Sequence, residues 1–260
     1  MDLTKLANEI MPIARAAGAE IMRIYEASAG IEYSKKDDDS PLTRADENAN
    51  RVICEGLEKL SPRFPIVSEE NKLLDYSERK KFTYSWLVDP LDGTKEFIKR
   101  NGDFTVNIAL VHNRRPVLGV VYMPVTEEMF YGVAGGGAWH VQGDKKVHLQ
   151  AEEFSREDAD LGVVCSRSHL NDETQAFLDA LNKPRKVSRG SSLKFLLLAR
   201  GEAHIYPRLA PTMEWDTGAA QIILEEAGGK VIDHETGAPL LYNKENLRNP
   251  HFVAYGRVRE

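Results

Sequence analysis

The strongest chemical signal in the sequence is Asp89-Pro90-Leu91-Asp92-Gly93-Thr94-Lys95-Glu96-Phe97, directly after the apolar run Tyr84-Ser85-Trp86-Leu87-Val88. Pro90 keeps Asp89 out of helical geometry and Gly93 permits a sharp turn, so two carboxylates and a hydroxyl can be presented together at a strand end. Asp, Pro and Gly are also ordinary turn formers, and on spacing alone a strand-terminating turn explains them equally well. Three further segments carry the same ambiguity. Glu69-Glu70 follows Ser68 at another strand end, where solvated charge is the default. Asp216, in Trp215-Asp216-Thr217-Gly218-Ala219-Ala220, stands at a helix start, where capping suffices. Thr43-Arg44-Ala45-Asp46 has the spacing of a capping box.

Taken together, these segments point to one chemistry. If Glu69, Asp89, Asp92 and Asp216 converge, they cannot all stay ionised at short range without compensation. The chain offers no His/Cys set with zinc spacing, and hard oxygen donors favour Mg²⁺ or a similar cation. Such a cation suits phosphate chemistry, because it polarises phosphoryl oxygens and lowers the pKa of an attacking water.

The elements that must position these groups are legible from hydrophobic period. Leu3, Leu6, Ile10, Ile13, Ala14, Ala17, Ile21 and Ile24 predict an opening amphipathic helix, kinked or adjusted at Pro12. The charged stretch from Lys35 to Pro41 reads as an exposed loop, and Thr43 to Leu60 as a second helix with Ala45, Ala49, Val52, Ile53 and Leu57 inward. From Phe64 the period becomes that of strands: 65–68, 84–88, 106–111 and 117–122, then 129–133 and 138–141 around Gly135-Gly136-Gly137. Beyond residue 147 strands and helices alternate: strands 161–165 and 204–206, helices 173–181 and 192–199, and a helix from Trp215 to Ala227 capped by Gly228-Gly229. The change of pattern predicts two subdomains, 1–150 and 151–260, in extensive contact.

Composition narrows the class. A chain of 260 residues, 42% hydrophobic and 28% charged, is an ordinary globular protein with one large domain or two tightly packed ones. No run approaches the ~18 apolar residues of a membrane-spanning helix. The start of the chain, with Asp2 and alternating charge, is unlike a signal peptide, and no lipidation motif is present. Two cysteines, Cys54 and Cys165, suit a reduced compartment. With 34 basic against 40 acidic residues the net charge is −6, which gives no help to nucleic-acid or anionic-membrane binding. The cysteines and Trp86 and Trp139 are expected in the core.

Asp89-Pro90-Leu91-Asp92-Gly93-Thr94 and Trp215-Asp216-Thr217-Gly218-Ala219-Ala220 resemble the two signature motifs of the inositol monophosphatase superfamily. Ser68-Glu69-Glu70 and Ser40-Pro41-Leu42-Thr43-Arg44-Ala45-Asp46 resemble its other active-site segments, in the same order. Within that superfamily, Asp92-Gly93-Thr94-Lys95-Glu96-Phe97 is most similar to the 3′(2′),5′-bisphosphate nucleotidases. The resemblance implies an α/β (α+β) fold, a layered α-β-α-β-α sandwich with the site between the subdomains.

It also implies roles. Glu69, Asp89, the Leu91 carbonyl, Asp92 and Asp216 match the metal ligands, for about two to three Mg²⁺ ions per site. Asp46 and Thr94 match the pair that orients and deprotonates the nucleophilic water, which Glu69 would also contact through its metal. Glu70 is left as a supporting or solvated acid. The N-terminal subdomain would thus carry most metal ligands, and the C-terminal one the substrate contacts and Asp216. Gly190-Ser191-Ser192-Leu193-Lys194 opens a helix, and such an N-terminus either binds phosphate or is simply capped by serine. The resemblance moves Ser191 and Lys194 toward substrate contact, along with Gly93, Thr94, His169 and Asp216, and assigns Arg208 to a second phosphate. Lys36 resembles a family lysine near the metals.

The implied activity is Mg²⁺-dependent removal of the 3′-phosphate of adenosine 3′,5′-bisphosphate, giving AMP and phosphate, with 3′-phosphoadenosine 5′-phosphosulfate as a further substrate. Its partner is this small nucleotide, with no nucleic-acid polymer and no integral membrane segment; oligomeric state is left open. The implied location is the cytoplasm; peripheral association with the inner membrane is allowed by the resemblance but unsupported by the sequence. The alternatives are an inositol monophosphatase, more distantly a fructose-1,6-bisphosphatase, or a catalytically silent nucleotide-binding member of the fold.

Overall fold

The structure, a computed structural model, describes residues 1–27, 32–35, 41–165 and 171–259. Helix α1 (Leu3–Tyr25) is capped by Asp2, whose side chain accepts the Lys5 N–H, and buries Leu6, Ile10, Ala14, Ala17 and Ile21. It runs through Pro12 without a break in its helical assignment. Pro12 and Asn8 both lie on the exposed face, where water can serve the carbonyl that the proline leaves unpaired. Strands β1 (Tyr33–Lys35) and β2 (Pro41–Thr43) pair antiparallel on either side of the expected loop, whose residues 36–40 lie outside the described residues. Helix α2 (Arg44–Leu57) starts after its Thr43 cap and ends three residues short of Leu60.

A seven-stranded sheet follows. Its strands are β3 (Ile66–Ser68), β4 (Tyr84–Asp92), β5 (Thr105–His112), β6 (Arg115–Met123), β7 (Glu128–Val133), β8 (Gly137–Gln142) and β9 (Lys145–His148). They pair in that order, β3 parallel to β4 and the rest antiparallel. Short helices α3 (Tyr76–Arg79) and α4 (Thr94–Ile98) lie in its connections. β10 (Glu153–Phe154) is an outlying strand, and a five-stranded sheet then forms from β11 (Gly162–Cys165), β12 (Arg185–Ser188), β13 (Ile205–Arg208), β14 (Lys230–Asp233) and β15 (Phe252–Tyr255), in the order β12-β11-β13-β15-β14. β16 (Arg257–Val258) pairs with β10. The helices of this half are α5 (Asp172–Asp179), α6 (Leu193–Ala199) and α7 (Gly218–Glu226).

Three cores define the layers. α1 and α2 cover one face of the large sheet through Ile10, Ile21, Ile53, Trp86, Ile108 and Tyr131. α6 and α7 fill the space between the two sheets with Phe130, Phe195, Leu198, Ile223 and Phe252. α5 closes the far side of the small sheet over Val163, Leu178 and Ile205. The result is the expected α-β-α-β-α sandwich. α7 lies directly on the large sheet because Gly132 has no side chain: a Cβ there would stand 2.7 Å from the Ile223 Cα. That contact fixes the helix that directly follows the turn carrying Asp216.

Candidate active site

β4 does not stop at Val88. It continues to Asp92, and its register against β5 shifts between Asp89, opposite Asn107, and Asp92, opposite Thr105. Three steps along β4 are thus matched by two along β5, which is one extra residue. In a regular strand residues three apart face opposite sides, and a one-residue bulge restores the phase. The Asp-Pro-Leu-Asp segment is therefore a bulged strand, and the bulge turns both aspartates to one side. Gly93 follows at φ +99°, and a Cβ there would approach the Asp103 carbonyl oxygen to 2.8 Å. α4 begins immediately after it, so the Thr94 side chain lies beside the same acidic groups.

Glu69 and Asp216 complete the arrangement. The Glu69 N–H donates to the Val88 carbonyl, which continues the β3–β4 pairing into the Glu69 turn. Asp216 belongs to a one-turn 3₁₀ helix (Glu214–Asp216), and its Oδ2 accepts the Met213 N–H at 2.9 Å. The single helix expected from Trp215 to Ala227 is broken at Thr217, whose hydroxyl donates to the Glu214 carbonyl. Glu69, Asp89 and Asp216 each bring a carboxylate oxygen within 4.8 Å of one another. Asp92 borders this trio but is turned aside: its Oδ2 accepts the Ser192 N–H at 2.5 Å and the Asn107 amide at 3.3 Å. A cleft of about 340 Å³ is lined by all four acids, Leu91, Gly93, Thr94, Lys95 and Glu96.

The electrostatics mark this cleft as short of positive charge. Burial, and then repulsion from Glu69, Asp92 and Asp216, drives the Asp89 carboxyl well above the usual range. Burial and Asp92 push Asp216 up to about 8, against the pull of the Met213 N–H. Asp92 is raised only to about 6, because Lys194, the Ser192 N–H and Asn107 oppose its desolvation. Carboxylate oxygens with the Leu91 carbonyl beside them, and no nitrogen or sulfur donor, fit a hard divalent cation that would supply the missing charge.

Asp46 stands at the edge of the acidic group. It caps α2, with Oδ2 accepting the Thr43 N–H at 2.8 Å and the Thr43 hydroxyl at 2.6 Å. Its Oδ1 accepts the Thr94 hydroxyl at 3.0 Å. The capping box expected from spacing is present, and the same carboxylate meets Thr94.

A second cleft of about 180 Å³ adjoins the first, sharing Asp92, Gly93, Glu96 and Asp216, and is lined by Arg189, Ser191, Lys194, Tyr206 and Arg208. Lys194 is buried, donates to the Ser191 carbonyl at 2.5 Å and lies over the Tyr206 ring. Its own desolvation pulls its pKa down to about 8, against the attraction of Asp92. Arg208 donates to the Pro211 carbonyl, and its buried Nε lacks a partner among the described residues, as does the buried Ser191 hydroxyl. At the start of α6 Ser192 makes no side-chain cap, and its N–H is held by Asp92.

His169 and Lys36 lie outside the described residues. Glu70 is half-buried, and its N–H reaches the Ser68 hydroxyl at 3.4 Å. Trp139 is half-buried rather than in the core, with its indole N–H on the Gly136 carbonyl. Asn107 and Ser192, which orient Asp92, escaped the sequence reading. The available signal for Asn107 was an amide inside the otherwise apolar run from Val106 to Val111.

Over residues 2–256 the sequence matches the Inositol monophosphatase family, and the chain belongs to that family. It is 46% identical over 248 residues to the 3′(2′),5′-bisphosphate nucleotidase CysQ of Salmonella typhimurium, spanning 95% of this chain and 98% of that protein. The Escherichia coli protein of the same name is 43% identical over 248 residues, with the same shares of each chain. The crystal structure of CysQ from Bacteroides thetaiotaomicron superposes with a TM-score of 0.85 at 40% identity, covering 98% of each chain.

Proposed function

We propose that the protein is a Mg²⁺-dependent 3′(2′),5′-bisphosphate nucleotidase that hydrolyses the 3′-phosphate of adenosine 3′,5′-bisphosphate to give AMP and phosphate. The observation that carries this reading is the pair of joined clefts. One gathers Glu69, Asp89, Asp92 and Asp216, and the other places Lys194 and Arg208 beside the shared Asp92 and Asp216. A substrate with two phosphates can set the scissile one at the carboxylates and the other at the cations. The nucleotidase relatives support the same choice.

Glu69, Asp89, the Leu91 carbonyl, Asp92 and Asp216 would hold the metal. When bound, Mg²⁺ neutralises phosphoryl oxygens and acidifies water. The chain's own part in the proton transfer is the Thr94–Asp46 pair. Because the Thr94 hydroxyl donates to Asp46, its oxygen lone pairs are left to accept from an attacking water, and Asp46 is the base at the end of that path. Ser191 and Arg208 each bring an unpartnered polar atom to the substrate cleft.

The two halves divide near residue 150, between the large sheet ending at His148 and the small one starting at Gly162. A cytoplasmic location belongs to the same reading. No helix among the described residues is long and apolar enough to cross a membrane.

Phosphate release from adenosine 3′,5′-bisphosphate, inositol 1-phosphate and fructose 1,6-bisphosphate, each with Mg²⁺ and with chelator, tests the assignment. The nucleotide is expected to be turned over best and only with the cation. Preference for inositol phosphate, or no turnover at all, would overturn it.

A further inference from the structure

Glu214 is a carboxylate with no solvent exposure, two residues before Asp216, and nothing in the proposed reaction uses it. Its Oε2 accepts the Asn243 N–H at 2.5 Å, while its Oε1 accepts the Lys244 N–H at 3.1 Å and the Lys244 ammonium at 2.5 Å. Burial raises its pKa, and Lys244 and the two N–H groups oppose that rise. A buried ion pair costs desolvation that an apolar residue of the same size avoids, so its yield is better sought in orientation than in stability.

What it orients is on the page. The Glu214 N–H donates to the Leu247 carbonyl, and the Glu214 carbonyl accepts the Thr217 N–H and hydroxyl. The one turn that carries Asp216 is therefore fastened to the segment 243–247 from both sides of Glu214. That segment is itself held by the β3–β4 connection, which begins at Glu69. Buried Arg79, the last residue of α3 within that connection, donates through Nη1 to the Asn243 side chain and the Lys244 carbonyl and through Nη2 to the Glu245 carbonyl, each at 3.0 Å. Asn243 returns its amide to the Arg79 carbonyl at 2.7 Å and stands at φ +53°, a conformation Asn tolerates. Left to themselves, Asp89, Asp216 and Glu69 repel one another, and their spacing must be set by what anchors their backbones.

We propose that Glu214 is a positioning residue for metal binding: through Asn243, Lys244 and Arg79 it fixes the turn that presents Asp216 opposite Glu69. This rests on the metal reading given above, and the experiment separates the two. Mg²⁺ affinity is measured by calorimetry without substrate for the wild type, Glu214→Gln, Asn243→Gly and Asp216→Asn, alongside the melting temperature of each metal-free protein. Gln keeps the volume of Glu214 but sets an amide against Lys244 or a backbone N–H, and Gly keeps the left-handed backbone while removing the two Asn243 side-chain bonds to Arg79.

Glu214→Gln is expected to weaken Mg²⁺ roughly tenfold or more, as loss of a group that orients a ligand usually does, with Asn243→Gly shifted in the same direction. At saturating Mg²⁺ the KM for the nucleotide should return to the wild-type value. A lowered melting temperature with unchanged Mg²⁺ affinity would reduce Glu214 to a structural role and overturn the proposal. If Asp216→Asn binds Mg²⁺ as the wild type does, the metal reading itself is what fails.

Discussion

Asp46 uses both of its oxygens: Oδ1 accepts the Thr94 hydroxyl at 3.0 Å, and Oδ2 holds the Thr43 N–H at 2.8 Å. The second interaction ties the carboxylate to the first turn of α2, so the first is presented by a rigid element rather than by a loop. A base fixed in this way has little freedom to lose on reaching the transition state.

Asp46→Asn separates the two duties. The amide has one accepting oxygen, so it can satisfy Thr43 or Thr94 but not both, and it cannot take a proton. In steady-state assays kcat should fall by about 10²–10⁴, the usual worth of a general base. Weakening of the capping box, whose Thr43 cap remains, should cost at most about 1 kcal/mol in denaturant unfolding. Mg²⁺ affinity should stay near wild type, and Thr94→Ser, which keeps the hydroxyl, should retain most activity. A kcat close to wild type in Asp46→Asn would remove Asp46 from the reaction.

The cationic cleft predicts a KM effect confined to substrates with two phosphates. Arg208→Ala removes the guanidinium, and Lys194→Met removes the ammonium while keeping the stem that lies over Tyr206. A hydrogen bond to a charged group contributes ~1.5–3 kcal/mol, so KM for adenosine 3′,5′-bisphosphate should rise about tenfold or more. Hydrolysis of inositol 1-phosphate, however slow, should be unchanged by Arg208→Ala. Equal losses on both substrates would show that Arg208 supports the acidic cleft instead.

Much of this architecture was legible in the sequence because it rests on local period and local chemistry. The inward stripe of α1, the Thr43–Asp46 capping box and the left-handed Gly93 are each set within a few residues. The acids could be grouped only on the condition that they converge, and their roles came from resemblance to the family's motifs. What could not be read depends on pairing between distant segments. The bulge that brings Asp89 and Asp92 to one face exists only relative to β5. The start of α6 offers an anion site on sequence grounds, yet an aspartate one hundred residues earlier already occupies the Ser192 N–H.

Gly93→Ala tests the backbone that joins β4 to α4. The new Cβ would be forced to φ +99° and to 2.8 Å from the Asp103 carbonyl oxygen, which is backbone and cannot swing away. A residue held in such a conformation costs of order 1–3 kcal/mol. Each kcal/mol moves the melting temperature of a protein of this size by roughly 2–4 °C. The variant should therefore melt several degrees lower and lose turnover more than Mg²⁺ binding, since the turn presents Thr94 directly. An unchanged melting temperature would mean that the turn relaxes freely.

Removing the cation should make stability depend on pH with a definite sign. Asp216 is raised from 3.8 to about 8, with burial as the leading cause. A carboxyl with a raised folded pKa keeps its proton in the native state after the unfolded chain has released it. The unfolded state then binds fewer protons, and stability falls as pH rises between those two values. Asp92, raised to about 6, adds to the lower part of the same window. The chelated protein should thus melt lower at about pH 9 than at about pH 6, contrary to the gain seen when a carboxylate is stabilised by folding. Mg²⁺ needs the carboxylates ionised, so its stabilising effect should be larger at the higher pH, where no proton has to be displaced. Thermal melts in a matched pair of buffers, with chelator and with Mg²⁺, check both signs. Lys194, lowered to about 8, opposes this trend at the upper end of the range, and a chelated protein that gains stability between the two pH values would show that such groups outweigh the buried acids.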